Sequence, residues 1–190
     1  MPMRGKVVVN RSMSLDGFIA GPGHAMDWVF DYVTPETLPE LAEIAAATGA
    51  MLMGRRTYEV GSAMEPEPGK TDYPFSGPEF VLTHEPPNPT DPTDPTVTFL
   101  SGDIGEAVAT ALDAAGGKNL EVLGADVARQ CLQRGLVDEI LVYVVPVLLG
   151  DGTRFYSSMG LKKVELEPLD CRRSGAVTIL RFRVCKQSSE

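Results

Sequence analysis

Histidine is nearly missing from this chain. Its two copies, His24 and His84, lie far apart, and neither H-x-E nor P-C-x-x-C occurs. That excludes zinc-dependent deaminase chemistry and leaves no metal site to expect. Cysteine is almost as sparse: Cys131, Cys171 and Cys185 are odd in number, widely spaced and without a C-x-x-C pair. A disulfide framework is excluded, and reduced, packed thiols in a cytoplasmic protein are expected. No apolar run approaches membrane-spanning length and no charged-then-apolar leader opens the chain, so a soluble protein with no membrane partner is expected. Positive charge is in deficit. Lysine and arginine number 17 against 26 acids, a net charge of -9, and such a surface repels nucleic acid and anionic lipid. Two familiar nucleotide signatures are missing as well. No G-x-G-x-x-G follows the first strand and no G-x-x-x-x-G-K-[ST] occurs; Gly21-Pro22-Gly23 has proline between its glycines and no third glycine.

What is present is an ordinary globular composition, 43% hydrophobic and 23% charged over 190 residues. One domain, 1–190, with a substantial core is expected. Lys6 to Asn10 is β-branched and reads as a buried strand. Ser12 to Gly23, with three glycines and a proline, reads as a loop, but Leu15, Phe18 and Ile19 suggest that it folds over something. Pro35 and Glu36 open a helix at Leu38–Ala47, and a second helix is expected over Arg56–Ala63. Glu65 to Pro78 reads as a long loop, Glu79–Thr83 as a strand, and the five prolines of Glu85–Pro95 as an excursion before strand Val97–Phe99. Ile104, Val108 and Leu112 recur at helical spacing within Asp103–Ala115, with Ser101 or Asp103 as the cap and Gly116-Gly117 as the stop. Strand Leu120–Leu123, helix Asp126–Arg134 and an apolar segment Val137–Leu149 broken by Pro146 follow. The strands Lys163–Leu169 and Val177–Val184 form a hairpin through Arg173-Ser174-Gly175. Early alternation of strand and helix implies a parallel sheet, and the tail implies antiparallel strands at one edge: an α/β domain with a mixed sheet.

Two strand-to-helix turns carry the chemistry. In Ala50-Met51-Leu52-Met53-Gly54-Arg55-Arg56-Thr57-Tyr58-Glu59 an apolar run ends at a glycine, and two arginines and a threonine stand where a helix begins. A helix start favours an anion, and the guanidinium fork matches phosphate oxygens. On so acidic a chain an anion site has to be local, which gives Arg55-Arg56 its weight. Val122-Leu123-Gly124-Ala125-Asp126-Val127-Ala128 repeats the logic without a cation, leaving backbone N–H groups to hold a phosphate. Two such turns at neighbouring strand ends would make one cleft, the usual ligand position in open α/β sheets.

These motifs, together with Ser14-Leu15-Asp16-Gly17-Phe18-Ile19-Ala20, Val81-Leu82-Thr83-His84, Gly135-Leu136-Val137-Asp138-Glu139-Ile140 and Pro146 to Gly152, resemble the dihydrofolate reductase-like superfamily. The likeness is greatest to the reductase-domain branch of bacterial riboflavin biosynthesis proteins, and it runs from about Lys6 to Val184. The resemblance implies a three-layer αβα fold with a mostly parallel central sheet and an antiparallel C-terminal edge. It implies an NADPH-dependent reductase of a small pteridine-, pyrimidine- or flavin-like molecule. By position, Gly54, Arg55, Arg56 and Thr57 match the segment holding NADPH phosphates. Leu82, Thr83 and His84 match the segment beside the adenosine 2′-phosphate, and Leu123 with Gly124, Ala125, Asp126, Val127 and Ala128 match the pyrophosphate turn. Ile19 and Ala20 match the loop over the nicotinamide. The chain departs from its relatives at Ala125, where many have a second glycine, and at Val33, where folate reductases carry an acid.

Protonation would fall to a carboxyl in an apolar setting, where the pKa rises. Asp16, among Leu15, Phe18 and Ile19, is that candidate or else a turn aspartate; it is also a candidate substrate contact. Asp27 is a second catalytic candidate or the cap of a short helix. Trp28 either stacks on a flat substrate or packs in the core. The antiparallel edge leads to the expectation of a homodimer. The rival reading is a catalytically silent nucleotide-binding protein of the same fold.

Overall fold

The computed structural model describes residues 4–64, 75–87, 94–156 and 163–186. Most of the expected loop 65–78 and of the excursion 85–95 lies outside the described residues. Ten strands are described: β1 (Val7–Ser14), β2 (Phe18–Ala20), β3 (Thr48–Gly54), β4 (Glu79–Leu82), β5 (Val97–Leu100), β6 (Asn119–Leu123), β7 (Glu139–Val145), β8 (Thr153–Arg154), β9 (Leu166–Ser174) and β10 (Val177–Val184). The helices are α1 (Asp27–Phe30), α2 (Leu38–Ala47), α3 (Arg55–Ala63), α4 (Ile104–Ala114) and α5 (Ala125–Gln133).

Eight strands form one sheet in the order β5-β4-β3-β6-β1-β7-β10-β9, and β2 pairs with β8 as a short separate ribbon. The run from β5 to β7 is parallel, while β10 lies antiparallel to β7 and β9 antiparallel to β10. The strands' period of two sorts their side chains onto opposite faces. Val7 and Val9 of β1, Leu52 of β3 and Leu120 and Val122 of β6 pack on one face with Val108 and Leu112 of α4 and Val127 of α5. Val8, Leu141, Tyr143 and Ile179 pack on the other, with Ile44 of α2 against them. The Asp103 side chain caps α4 by accepting a hydrogen bond from Gly105 N at 2.8 Å.

The structure corrects several boundaries. The first strand does not stop at Asn10: it runs to Ser14, because Asn10 to Ser14 stay in register with β7. Within the expected loop, Phe18–Ala20 is a strand, paired with β8. β9 lies later than expected, from Leu166 to Ser174; most of it is exposed, so an outer strand can carry Asp170, Arg172 and Arg173. α3 begins at Arg55 rather than Arg56. Only Cys131 is a packed thiol, pushed up to about 12 by burial, whereas Cys171 and Cys185 are exposed. Among the described residues no helix is long and apolar enough to cross a membrane.

Candidate active-site cleft

β3 and β6 are neighbours, with Met53 beside Leu123, so the two glycine turns that follow them stand side by side. They interlock. Gly124 has φ +90°, and a Cβ there would lie 2.5 Å from Thr57 Oγ1 and 3.7 Å from Gly54 N. Helices α3 and α5, nine residues each, therefore start from one place. Their first N–H groups have no partner within the helix. They open onto a cleft of about 1190 Å³.

Gly54, Arg55, Arg56 and Thr57 line this cleft from one turn. Leu123, Gly124, Ala125, Asp126 and Val127 line it from the other, and Leu82, Thr83 and His84 from the end of β4. Ile19 and Ala20 contribute from β2, with Thr153 of β8 beside them. Ala128 does not reach it: one residue further round α5, it is buried in the core.

The two arginines are not equivalent. Arg55 Nε donates to Glu59 Oε1 at 2.7 Å and its Nη1 to the Glu85 carbonyl at 2.6 Å. Thr83 Oγ1 receives the Glu85 N–H at 3.1 Å, so Arg55 and Thr83 together hold the chain after β4. Arg56 is exposed and has no hydrogen bond or ion pair to a described residue. Asp126 places an acid in the same cleft. Burial works against its charge, but hydrogen bonds from Arg129 and Gln130, with His84 nearby, outweigh that and hold its carboxyl below the usual range.

The cleft floor was not foreseen. Arg11 is 8% exposed, and its guanidinium donates to the carbonyls of Asn10 and of Gly124, the latter at 2.9 Å. Burial lowers its pKa to about 10 against the pull of Glu121. Arg11 thus ties the central strand to the second glycine turn. Asn10 and Glu121 line the cleft as well, and their pairing explains how a carboxylate is tolerated on the sheet, since an uncompensated buried charge costs several kcal/mol.

A family model, the RibD C-terminal domain, matches residues 5–180. The chain belongs to that family. A relative of Bacillus subtilis (strain 168), the uncharacterized protein YwjB, is 27% identical over 161 residues, 83% of this chain and 86% of its own. Among solved structures, a protein of Shewanella sp. PV-4 provisionally assigned to riboflavin biosynthesis has a TM-score of 0.77 at 22% identity, covering 95% of this chain and 99% of that one. The diaminohydroxyphosphoribosylaminopyrimidine deaminase/5-amino-6-(5-phosphoribosylamino)uracil reductase of Thermotoga maritima has a TM-score of 0.65 at 16% identity, over 96% of this chain and 57% of that one. The Saccharomyces cerevisiae riboflavin biosynthesis reductase Rib7 has a TM-score of 0.62 at 16% identity, over 95% and 90%. These likenesses establish the dihydrofolate reductase-like fold.

In this RibD-type domain the anticipated acids stand apart from the cleft. Asp16 is not among the lining residues. Its carboxylate accepts from Ser14 Oγ at 2.6 Å, Leu149 N at 3.1 Å and Gly150 N at 2.7 Å. The Ser14 bond, outweighing some desolvation and joined by the two backbone donors, holds its pKa down to about 2. That is opposite to the raised value a proton donor needs, so Asp16 is a clasp between the two loops. Asp27 is exposed and absent from the lining. It is the first residue of α1 rather than its cap, a position held by Met26. Trp28 neither lines the cleft nor joins the core; its Nε1 donates to the Ala25 carbonyl at 3.1 Å.

Asp16→Asn is therefore expected to lower the melting temperature at pH 7 without a direct contact to the cleft being lost. A carboxylate whose folded pKa is depressed contributes above its unfolded pKa and loses that contribution as pH falls through the folded one. The gap between wild type and Asp16→Asn should thus close as pH falls from about 4 to about 2, and melting curves across that range measure it.

Proposed function

We propose that the chain is an NADPH-dependent reductase of a small pteridine-, pyrimidine- or flavin-like molecule. The observation that carries this reading is the interlocked pair of glycine turns. Two helix starts, the Thr57 hydroxyl and Arg56, which has no partner among the described residues, meet at one end of a cleft large enough for a dinucleotide and a second molecule. The donor set fits the group: backbone N–H groups and a hydroxyl suit a pyrophosphate, and a guanidinium suits an additional phosphate. Residues Gly54 to Thr57 and Gly124 to Val127 would hold it. NADPH supplies the hydride when bound. The chain's own contribution is to bind and orient both partners and, through Ile19, Ala20 and Thr153 on the β2–β8 ribbon, to keep water from one side.

The reading is tested by following nicotinamide absorbance with NADPH against a panel of pterins, pyrimidines and flavins. Oxidation that depends on one of these substrates supports it. A second reading, a silent nucleotide-binding protein, draws support from the absence of Asp16 and Asp27 from the cleft. Binding of NADPH without oxidation by any panel member would favour that reading.

The asymmetry between the arginines gives a sharper expectation. Arg56→Gln should weaken NADPH about tenfold or more, since a hydrogen bond to a charged group contributes roughly 1.5–3 kcal/mol. The preference for NADPH over NADH should shrink with it. Arg55→Gln should do less, because its guanidinium already serves Glu59 and the Glu85 carbonyl. Calorimetric titration of both variants with both cofactors measures the difference.

A further inference from the structure

Both histidines of the chain line the same cleft. His84 follows β4 and lies near Asp126, at the glycine turns. His24 follows β2, at the ribbon wall made by Ile19 and Ala20. Its backbone is unusual. Among the described residues His24 is the one non-glycine with a positive φ, +66°. A side chain is disfavoured there, though histidine is found there more often than most, and such outliers gather at functional sites. The turn that holds it is pinned. His24 N donates to the Gly21 carbonyl at 3.1 Å, and the Ala25 carbonyl accepts from Gly21 N at 2.9 Å and from Trp28 Nε1 at 3.1 Å. Trp28 thus braces the turn that carries His24.

The imidazole is half-buried and makes no hydrogen bond or ion pair with a described residue. The charged groups on the elements around it are engaged elsewhere or exposed. Asp27, on its own segment, is exposed and off the cleft lining. Asp151, next to the Gly152 that packs against Gly21, accepts from Gly152 N at 2.7 Å, and the Arg154 guanidinium of β8 sits over Phe18. On the cleft floor the Glu121 carboxylate accepts from the Asn10 amide in the field of Arg11. Tyr143, which also lines the cleft, keeps its proton because burial raises its pKa. An imidazole is the side chain that ordinarily gives and takes a proton near neutral pH. At the ribbon end of the cleft, His24 is such a group, with its ring nitrogens uncommitted among the described residues.

We propose that His24 is the catalytic residue at the nicotinamide end of the cleft, giving the substrate the proton that accompanies the hydride. This rests on the reductase reading, in which the phosphates lie at the glycine turns and the nicotinamide against the ribbon wall. The hydride forms a new C–H bond on the substrate, and the π pair of the C=N or C=O bond it adds to moves onto the nitrogen or oxygen. That atom takes the ring N–H proton of the His24 imidazolium, and the N–H electron pair stays on the imidazole. Water returns the proton afterwards. His24 becomes neutral as the nicotinamide, having given the hydride, becomes a cation, so the charge at this end of the cleft is the same before and after. Fixed groups around the site then have nothing to rearrange. An imidazolium repels the oxidised ring but not the reduced one. His24 therefore holds its proton more firmly beside NADPH than beside NADP+.

Two histidines give two NMR signals when the protein is isotope-labelled at the histidine ring carbons. His24→Asn assigns them; asparagine suits a positive φ and carries no acidic proton. Should that variant fail to fold, His84→Gln assigns them instead. Each signal is titrated from about pH 5 to about pH 9 in three states: free protein, with NADP+, and with an acid-stable tetrahydro analogue of NADPH whose ring is neutral. The His24 midpoint should be lower with NADP+ than with the analogue by about half a unit or more, while that of His84 should differ by less than about 0.2. A merely structural residue has no reason to tell the two rings apart. By linkage, calorimetry should show NADP+ weakening about threefold or more relative to the analogue between about pH 8 and about pH 6, and His24→Asn should abolish that trend. With the panel of pterins, pyrimidines and flavins, His24→Asn should lower kcat about a hundredfold and leave the affinity for the analogue within about twofold. The proposal is overturned if His84 responds to the nucleotides while His24 does not distinguish them, or if kcat of His24→Asn stays within about threefold of wild type. If neither histidine responds to either nucleotide, or if no panel member oxidises NADPH, the reductase reading fails and takes this assignment with it.

Discussion

Gly124→Ala should lose NADPH binding by well over tenfold while the protein still folds. The position has φ +90°, where any side chain is strained, and the added methyl would lie 2.5 Å from Thr57 Oγ1. Relieving the contact requires the Thr57 hydroxyl, one of the proposed phosphate donors, to move from its present position. The strain remains, at about 1–3 kcal/mol. Arg11 donates to the Gly124 carbonyl at 2.9 Å, so a shift of this turn also disturbs a buried cation. Calorimetry with NADPH and a melting curve on one preparation separate the two effects. An affinity within twofold of wild type would remove the second glycine turn from the proposed cofactor site.

Gly152→Ala should be the most destabilising of the substitutions considered. A Cβ at Gly152 would stand 2.1 Å from the Ala20 carbonyl oxygen and 2.9 Å from Gly21 Cα, both backbone atoms, at φ +134°. No rotamer relieves such a contact. Overpacking of about 1–3 kcal/mol and strain of similar size sum to roughly 2–6 kcal/mol. For a chain of this length that is a melting temperature lower by about 10 °C. The functional consequence follows from the neighbours. Thr153 pairs with Ala20, Phe155 N donates to the Gly17 carbonyl at 2.9 Å, and the Arg154 guanidinium sits 4.5 Å from the Phe18 ring centroid. Forcing β8 off β2 would open the wall made by Ile19 and Ala20, so the proposed reductase activity should fall even below the melting transition. A melting temperature within about 2 °C of wild type would show that the ribbon yields at little cost.

The legible parts of this molecule share one property: they are local. Helix α4 could be read from Ile104, Val108 and Leu112, with its Asp103 cap, and the glycine turns announce themselves within a few residues of sequence. The floor of the cleft was not legible in this way. Asn10, Glu121 and Tyr143 belong to three strands far apart in the chain, and each alone looks like a polar residue at a strand's half-buried position. One signal was available. Glu121 interrupts the apolar run Leu120 to Leu123 at the point where alternation turns a side chain to the opposite face from Leu120 and Val122. Asp16 misled for the opposite reason. Its apolar neighbours in sequence suggested a raised pKa, yet its surroundings in space are Ser14 Oγ and the amides of Leu149 and Gly150, which stabilise the charge.

Composition, periodicity and turn chemistry by themselves determined the α/β class, the mixed sheet with its antiparallel edge, and both glycine turns, because hydrophobic burial and backbone sterics act over a few residues at a time. Tertiary structure alone decided which charges remain available to a ligand. Arg55 is occupied by Glu59 and Glu85 while Arg56 has no partner among the described residues, and the carboxylate of Glu121 on β6 comes to accept a hydrogen bond from the Asn10 amide on the central strand. Electrostatic roles of that kind depend on distance and on burial, and both are set by the packing of segments that are remote from one another in the chain.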